Sequence, residues 1–339
     1  TIGFDESLNF SGKGAHKNNF LINTFLTNEN HSAKFSSRYN EVPSNFSESI
    51  SNELKERLIT LNKHNERYEF SDEFMNIAKA HIKFHYYTLK ERYPLYNKEN
   101  SKLLNDDFYE YRKNIKYDNI NFGSFYPYYE YLYSLIDNLS SKKTGFNEHK
   151  NIKNFTYEVN VIDSIFKSEK LKNQLLKNTT LDYLKNIKCE NEAKLIFNKF
   201  DKYNSNAANK EKITSLIHTI ERLSVGKKLP DFNVVDKNNT KLLFKNTLKN
   251  KPSVIYFWST EHPRHIKSVQ NKISLYKNNN DYNFIGICLD SENESLKSYS
   301  KMFDFNYDYS LENSLETRKE LFIQNINKIY VIDAESKIL

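Results

Sequence analysis

The stretch Val254-Ile-Tyr-Phe-Trp-Ser-Thr-Glu-His-Pro-Arg-His-Ile-Lys267 constrains this chain more than any other. Val254 to Trp258 is a short β-branched and aromatic run, which predicts a buried strand. Ser259 or Thr260 supplies a helix cap, and Pro263 suits a first helical turn because the N–H it lacks would have no partner there. The segment therefore reads strand, tight turn, helix N-terminus. It places His262 and His265 on one helical turn.

At 339 residues the chain is long enough for two or three domains. With 38% hydrophobic and 27% charged residues it can build cores and does not have a disordered composition. The 24 Tyr and 24 Phe against 7 Gly and 6 Pro point to a helical, aromatic-packed scaffold. The net charge of +7 does not imply nucleic acid, since lysines alternate with acids, as in Asn52-Glu-Leu-Lys-Glu-Arg57. No apolar run approaches the ~18 residues of a transmembrane segment. No signal peptide is visible, but the chain begins without Met, so its absence is uninformative. Two cysteines exclude a disulfide-rich scaffold. Cys288, between Ile287 and Leu289, reads as a buried thiol, and Cys189, in a polar segment, as an exposed one.

Helical spacing predicts helices over 46–66, from Ser71 to a stop before Pro94, and from Tyr126 with Pro127 in its first turn. Further helices are predicted near 157–177, 180–202 and 209–223. The aromatic stripe Tyr126-Pro-Tyr-Tyr-Glu-Tyr-Leu-Tyr-Ser-Leu135 suggests either a stacking platform or core, and its spacing favours core. Gly12 and Gly14 suggest a turn, as no Gly-Lys-Ser/Thr follows to make a phosphate loop. Ser224-Val-Gly226 marks a boundary, giving a mainly helical domain over 1–223 and a second over 224–339.

The second domain resembles thioredoxin-like proteins of the TlpA/ResA type. Their active-site pattern, Phe-Trp-Ala-x-Trp-Cys-x-x-Cys, is met here by Phe257-Trp258-Ser259-Thr260-Glu261-His262-Pro263-Arg264-His265, with histidine in place of both cysteines. The resemblance continues through Val225-Gly-Lys-Lys-Leu-Pro-Asp-Phe232, a first hairpin at Asp236–Leu242, a parallel strand at Phe284–Asp290 and an antiparallel strand at Ile329–Asp333. Asn327 aligns with the family's cis-proline. The stretch around Gly12 and Gly14 is similar to the junction that opens a helical region in longer Bacteroidetes members. The fold implied is an α-helical N-terminal domain followed by a thioredoxin-like α/β domain, a central mixed sheet flanked by helices. The resemblance also implies a cell-envelope location, periplasm or outer-membrane surface, with a lipid anchor outside the given sequence and another envelope protein or complex as partner. Glu335–Leu339 looks like the hairpin into the last strand, with the family's closing helix lacking.

The departures set the functional expectation. Thiol–disulfide exchange and peroxidase chemistry need a sulfur nucleophile, and imidazole cannot form a mixed disulfide. Asn327 removes the second device, because cis bonds away from proline are costly. The degenerate loop of Trp258, Glu261, His262, Pro263, Arg264, His265 and Asn327 therefore predicts a redox-inactive binding module with no cofactor. The alternatives are an oxidoreductase by inheritance, or a metal ion on His262 and His265. The metal needs three or four ligands, and Glu261, Asp290 and His218 form no second cluster by spacing. Ser259 lacks the Gly-x-Ser-x-Gly elbow of a hydrolase.

Overall fold

The computed structural model describes residues 9–119, 122, 125–146, 151–185, 187, 190–248, 250–276, 281–290 and 307–339. The chain divides into two compact units, Thr1–Thr179 with Tyr203–Ser205 and Thr180–Lys202 with Asn206–Leu339. Cys189 lies outside the described residues.

The first unit is helical. Gly12 and Gly14 take left-handed φ values of 88° and 83°, turning the chain into α1 (Ala15–Arg38). It continues through α2 (Pro43–Tyr68), α3 (Asp72–Tyr96), α4 (Tyr126–Thr144) and α5 (Ile152–Ile165) into α6 (Glu169–Lys185), which belongs to this unit up to Thr179 and to the second from Thr180. The Ser71 side chain accepts from the Phe74 N–H, and Asp72 and Glu73 sit in the first turn of α3, where the helix dipole favours them. The core is aromatic, as the composition implies. Phe46 meets Tyr93 at 4.5 Å between ring centroids, and Phe84 meets Tyr128 at 5.1 Å.

Helix boundaries differ from the spacing rule in three places. The helix expected over 180–202 falls on the end of α6 at Lys185 and on a separate helix over Glu190–Tyr203. α3 runs through Pro94 to Tyr96. A proline in the last turn costs one backbone hydrogen bond, and burial of Tyr93 and Pro94 outweighs it. The hydroxyl of Tyr93 also donates to the Glu41 carbonyl. The helix expected over 157–177 is instead two, α5 and α6, broken at Phe166-Lys167-Ser168. The break is held from a distance: Asp118 accepts from the Lys167 N–H at 2.8 Å and the Ser168 N–H at 2.9 Å. A carboxylate there satisfies donors that a helix start leaves unpaired. Asp118→Ala is expected to cost about 0.5–2 kcal/mol of stability, the range for a lost cap. Thermal melting followed by far-UV circular dichroism measures it, and Asp118→Asn should retain part of the contribution.

The second unit holds α7 (Glu190–Tyr203) up to Lys202, and α8 (Ala207–Arg222), whose Asn206 cap accepts from the Asn209 N–H. A six-stranded sheet follows, made of β1 (Asn233–Val235), β2 (Lys241–Leu243), β3 (Ser253–Trp258), β4 (Asn283–Cys288), β5 (Tyr307–Leu311) and β6 (Ile329–Ile332). Its order is β2-β1-β5-β4-β3-β6. β3–β4 and β4–β5 are parallel and the other pairs antiparallel. The hairpin, the parallel strand and the antiparallel strand expected from the resemblance are all present. Parallel strands need cover on both faces, and every residue of β4 is buried. On one face Ile266, Val269 and Ile273 of α9 (Pro263–Tyr276), at helical spacing, pack on Tyr256, Trp258, Phe284 and Cys288. After β6 the chain turns at Asp333, whose Oδ1 accepts from the Glu335 and Lys337 N–H groups, and Ile338 bridges back to Ile332. The last of the short helices is α10 (Ser314–Glu320). Among the described residues no helix is long and apolar enough to cross a membrane.

Candidate functional site

The site lies where β3 and β4 end side by side, the edge at which open parallel sheets present ligands. Trp258 and Cys288 are Cα partners there, and the Leu289 N–H donates to the Trp258 carbonyl at 2.8 Å. Asp290, just beyond β4, ties the two strand ends together. Its Oδ2 accepts from the Thr260 N–H at 2.9 Å and from the Thr260 hydroxyl at 2.8 Å. Burial raises the Asp290 pKa, but hydrogen bonds from Ser259, Thr260 and Cys288 outweigh it and hold the carboxyl below its ordinary value. The two expected caps are used differently. Ser259 Oγ accepts from the Glu261 N–H at 3.2 Å, and the Thr260 hydroxyl is turned to Asp290.

Beside this turn is a cleft of about 1010 Å³. Ser259 to His262 form one wall, Leu315 and Arg318 of α10 another, and Gln324, Asn325 and Ile326 a third. Asp182 and Lys185, from the end of α6, complete the rim. Leu315 is 77% exposed, and with Ile326 it gives the cleft an apolar part among polar lining residues.

The residues singled out from sequence are distributed unevenly. Glu261 and His262 are exposed and line the cleft. Pro263 opens α9, as expected, and Arg264 is exposed on that helix. His265 is half-buried, and its Nδ1 is buried without a hydrogen-bond partner. Burial, with the nearby charges of Lys272 and His262, lowers its pKa and keeps it neutral. Asn327 is exposed, its N–H donating to Asn325 Oδ1 at 2.9 Å, and no cis peptide bond occurs among the described residues. Trp258 is fully buried and its indole N–H donates to Asp308 Oδ1 at 3.2 Å.

Three groups at or below the site escape sequence reasoning. Arg318 and Lys185 sit in charged surface patterns that look like any solvated helix face. Asp308 does carry a signal, a lone acid within the Tyr307-Asp308-Tyr309 strand, yet its meaning depends on the indole above it. Cys288 sits beneath the turn with its side chain fully buried, and burial pushes its thiol up to about 12. A thiol held protonated and out of reach is not a nucleophile. Among the described residues no group of three or more His, Cys, Asp or Glu could hold a metal ion.

Comparison with known proteins bears on this same region. No curated protein matches the chain. A thiol-disulfide oxidoreductase from Bacteroides fragilis NCTC 9343 is 21% identical, over 33% of this chain and 88% of that one, with a TM-score of 0.29. The thioredoxin domain of a thiol-disulfide oxidoreductase from Bacteroides vulgatus is 19% identical over 34% and 86%, with a TM-score of 0.29. A thioredoxin-like protein from Bacteroides caccae ATCC 43185 is 13% identical over 67% and 83%, with a TM-score of 0.42. The family model of AhpC/TSA proteins matches residues 225–339, and the mixed sheet and its helices over that range form a thioredoxin-like domain.

Proposed function

We propose that the thioredoxin-like domain performs no thiol–disulfide exchange and instead uses the cleft beside Ser259–His262 to dock a segment of another cell-envelope protein. The observation that carries this reading is the position of sulfur. Histidines occupy the turn where exchange chemistry needs a thiolate, and the nearby Cys288 is enclosed and protonated. The cleft supports the binding half of the proposal. It combines an exposed leucine with charges of both signs, Glu261 and Asp182 against Lys185 and Arg318, and so offers an apolar anchor with a polar rim. The envelope location, the lipid anchor and the kind of partner rest on the TlpA/ResA resemblance of residues 224–339.

Insulin reduction by dithiothreitol tests the chemical half. The protein is expected to leave the uncatalysed rate unchanged, and Cys288→Ser to behave as the parent. Acceleration that disappears in Cys288→Ser or Cys189→Ser would establish the inherited oxidoreductase activity instead. For the binding half, the native protein is purified from envelope fractions and its companions identified. Leu315→Asp and Arg318→Glu should release a true occupant of the cleft. A companion retained by both variants is bound elsewhere, and the cleft loses its assignment.

A further inference from the structure

The geometry points to a second binding site, on the helical unit, that takes a neutral oligosaccharide. The stripe on α4 divides between two faces. Tyr128 and Tyr131 are fully buried, whereas Tyr126, Tyr129 and Tyr133 line an open cleft of about 710 Å³. That volume is the size of a small-molecule site, and a gap between helices is a usual place for one. The rings of Tyr129 and Tyr133 lie 6.3 Å apart and within 27° of parallel, forming a stepped aromatic platform. Tyr126 extends it outward, 72% exposed.

The polar wall opposite is fixed in place. Asn178 Nδ2 donates to the Tyr133 hydroxyl at 2.7 Å, Gln174 Nε2 donates to Asn178 Oδ1 at 3.1 Å, and Lys177 Nζ donates to Gln174 Oε1 at 3.0 Å. This relay holds two amides in set orientations, and an amide offers donors and acceptors together. At the other end Arg92 and Glu130 pair at 3.1 Å, with Arg92 Nε donating to Ser134 Oγ at 3.1 Å. The pair cancels its own field, and the exposed Lys170 at the rim is the one further charge among the lining residues, a single cation and not the cluster that a phosphate-rich ligand requires.

These features select among ligand classes. A nucleic acid stacking on the tyrosines would bring phosphates that require clustered Lys or Arg. A peptide that binds by strand addition needs a sheet edge, and helices supply none here, while a proline-rich segment on the aromatic groove is the peptide outcome the test must separate from a sugar. A pyranose has an apolar C–H face for a tyrosine ring and a rim of uncharged hydroxyls for amides and a paired carboxylate. The wall and platform match that division.

The test uses the full chain and isothermal titration calorimetry with maltohexaose, cellohexaose, xylohexaose, mannohexaose and chitohexaose. Oligogalacturonate, oligothymidylate and a proline-rich peptide serve as comparators. At least one neutral hexasaccharide is expected to bind saturably and the anionic probes not to bind. Tyr126→Ala and Tyr129→Ala should each weaken that binding about tenfold or more, the ~1.4 kcal/mol or more of a lost stacking contact. Tyr126→Phe should keep most of it. Tyr126 is too exposed for its loss to threaten folding, so Tyr126→Ala remains decisive if Tyr129→Ala misfolds. The inference is overturned if no neutral hexasaccharide binds at millimolar concentration, if binding survives Tyr126→Ala unchanged, or if the peptide or an anionic probe binds in place of the sugars.

Discussion

Arg112→Ala is expected to destabilise the helical unit by about 3–5 kcal/mol, the cost of leaving a buried charge without its partner. Glu91 sits on α3 at 0% exposure. A carboxylate survives there because four donor groups converge on it. Arg112 Nε donates at 2.8 Å and its Nη2 donates to the other oxygen, while the Tyr111 hydroxyl donates at 2.7 Å and Asn138 Nδ2 at 2.8 Å. The guanidinium lies 3.9 Å from the centre of the Tyr109 ring, adding a cation–π contact. Burial works against the charge of Arg112, but the hydrogen bond and field of Glu91 prevail and raise its pKa above the ordinary value. The Tyr111 hydroxyl is likewise pushed well up by burial and by the carboxylate, so it stays a donor. Truncating Arg112 keeps the desolvation cost of Glu91 and removes its main compensation. Denaturant unfolding followed by tyrosine near-UV circular dichroism measures the loss. The double variant Glu91→Leu/Arg112→Met should recover most of it, because an apolar pair of similar volume carries no desolvation cost. A single-variant loss below 1 kcal/mol would mean that water reaches Glu91.

That network shows where sequence reasoning stops. Glu91 and Arg112 stand in ordinary charged surroundings, Lys90-Glu-Arg92 and Tyr111-Arg-Lys113, and nothing local separates them from solvated residues. Their pairing across 21 positions is a tertiary fact. The same holds for Asp118, which breaks a predicted helix from 49 positions away. The thioredoxin-like domain was legible because its signals are local. The alternating and β-branched runs at Val254–Trp258 and Phe284–Cys288, the Asp236 turn and Pro263 each carry their own geometry. β5 carries a strand signal of its own, since Tyr307-Asp-Tyr-Ser-Leu311 alternates apolar with polar residues and holds two aromatics, but the run is short and no expectation from the sequence covered it. The order strand, turn, helix at Val254–Lys267 is local and legible, but the cleft residues Arg318, Leu315 and Lys185 come from elements whose faces only the fold brings together. The stripe on α4 was assigned to core as one object. The helix turns Tyr128 and Tyr131 inward and Tyr126, Tyr129 and Tyr133 towards a cleft, so the core reading describes only the inner part of it.

Asp308→Asn is expected to stabilise the sheet unit by ~2–4 kcal/mol at pH 8 and to leave it nearly unchanged at pH 4. Asp308 lies on β5 opposite Gly286 of β4, mostly shielded from solvent. Its Oδ1 accepts from the Trp258 indole, while Oδ2 is buried with no hydrogen-bond partner. Burial pushes the carboxyl up to about 7, and the hydrogen bonds from Trp258 and the Tyr309 backbone oppose this only in part. The unfolded chain ionises near its ordinary value of 3.8, whereas the folded one resists until about 7. Stability is therefore full below pH ~4, falls as pH rises towards 7 and is flat above it. Asparagine keeps the acceptor for the indole and removes the charge, so its curve should lack that fall. The depressed carboxyl of Asp290 acts with the opposite sign, losing stability as pH falls, and it is common to both proteins. The difference between them isolates Asp308. Trp258 is the only tryptophan in the chain and is fully buried, so its fluorescence reports unfolding of this unit. Parent and variant curves that coincide at pH 8 would show that Asp308 ionises without cost, through water reaching the oxygen that the indole leaves unpaired.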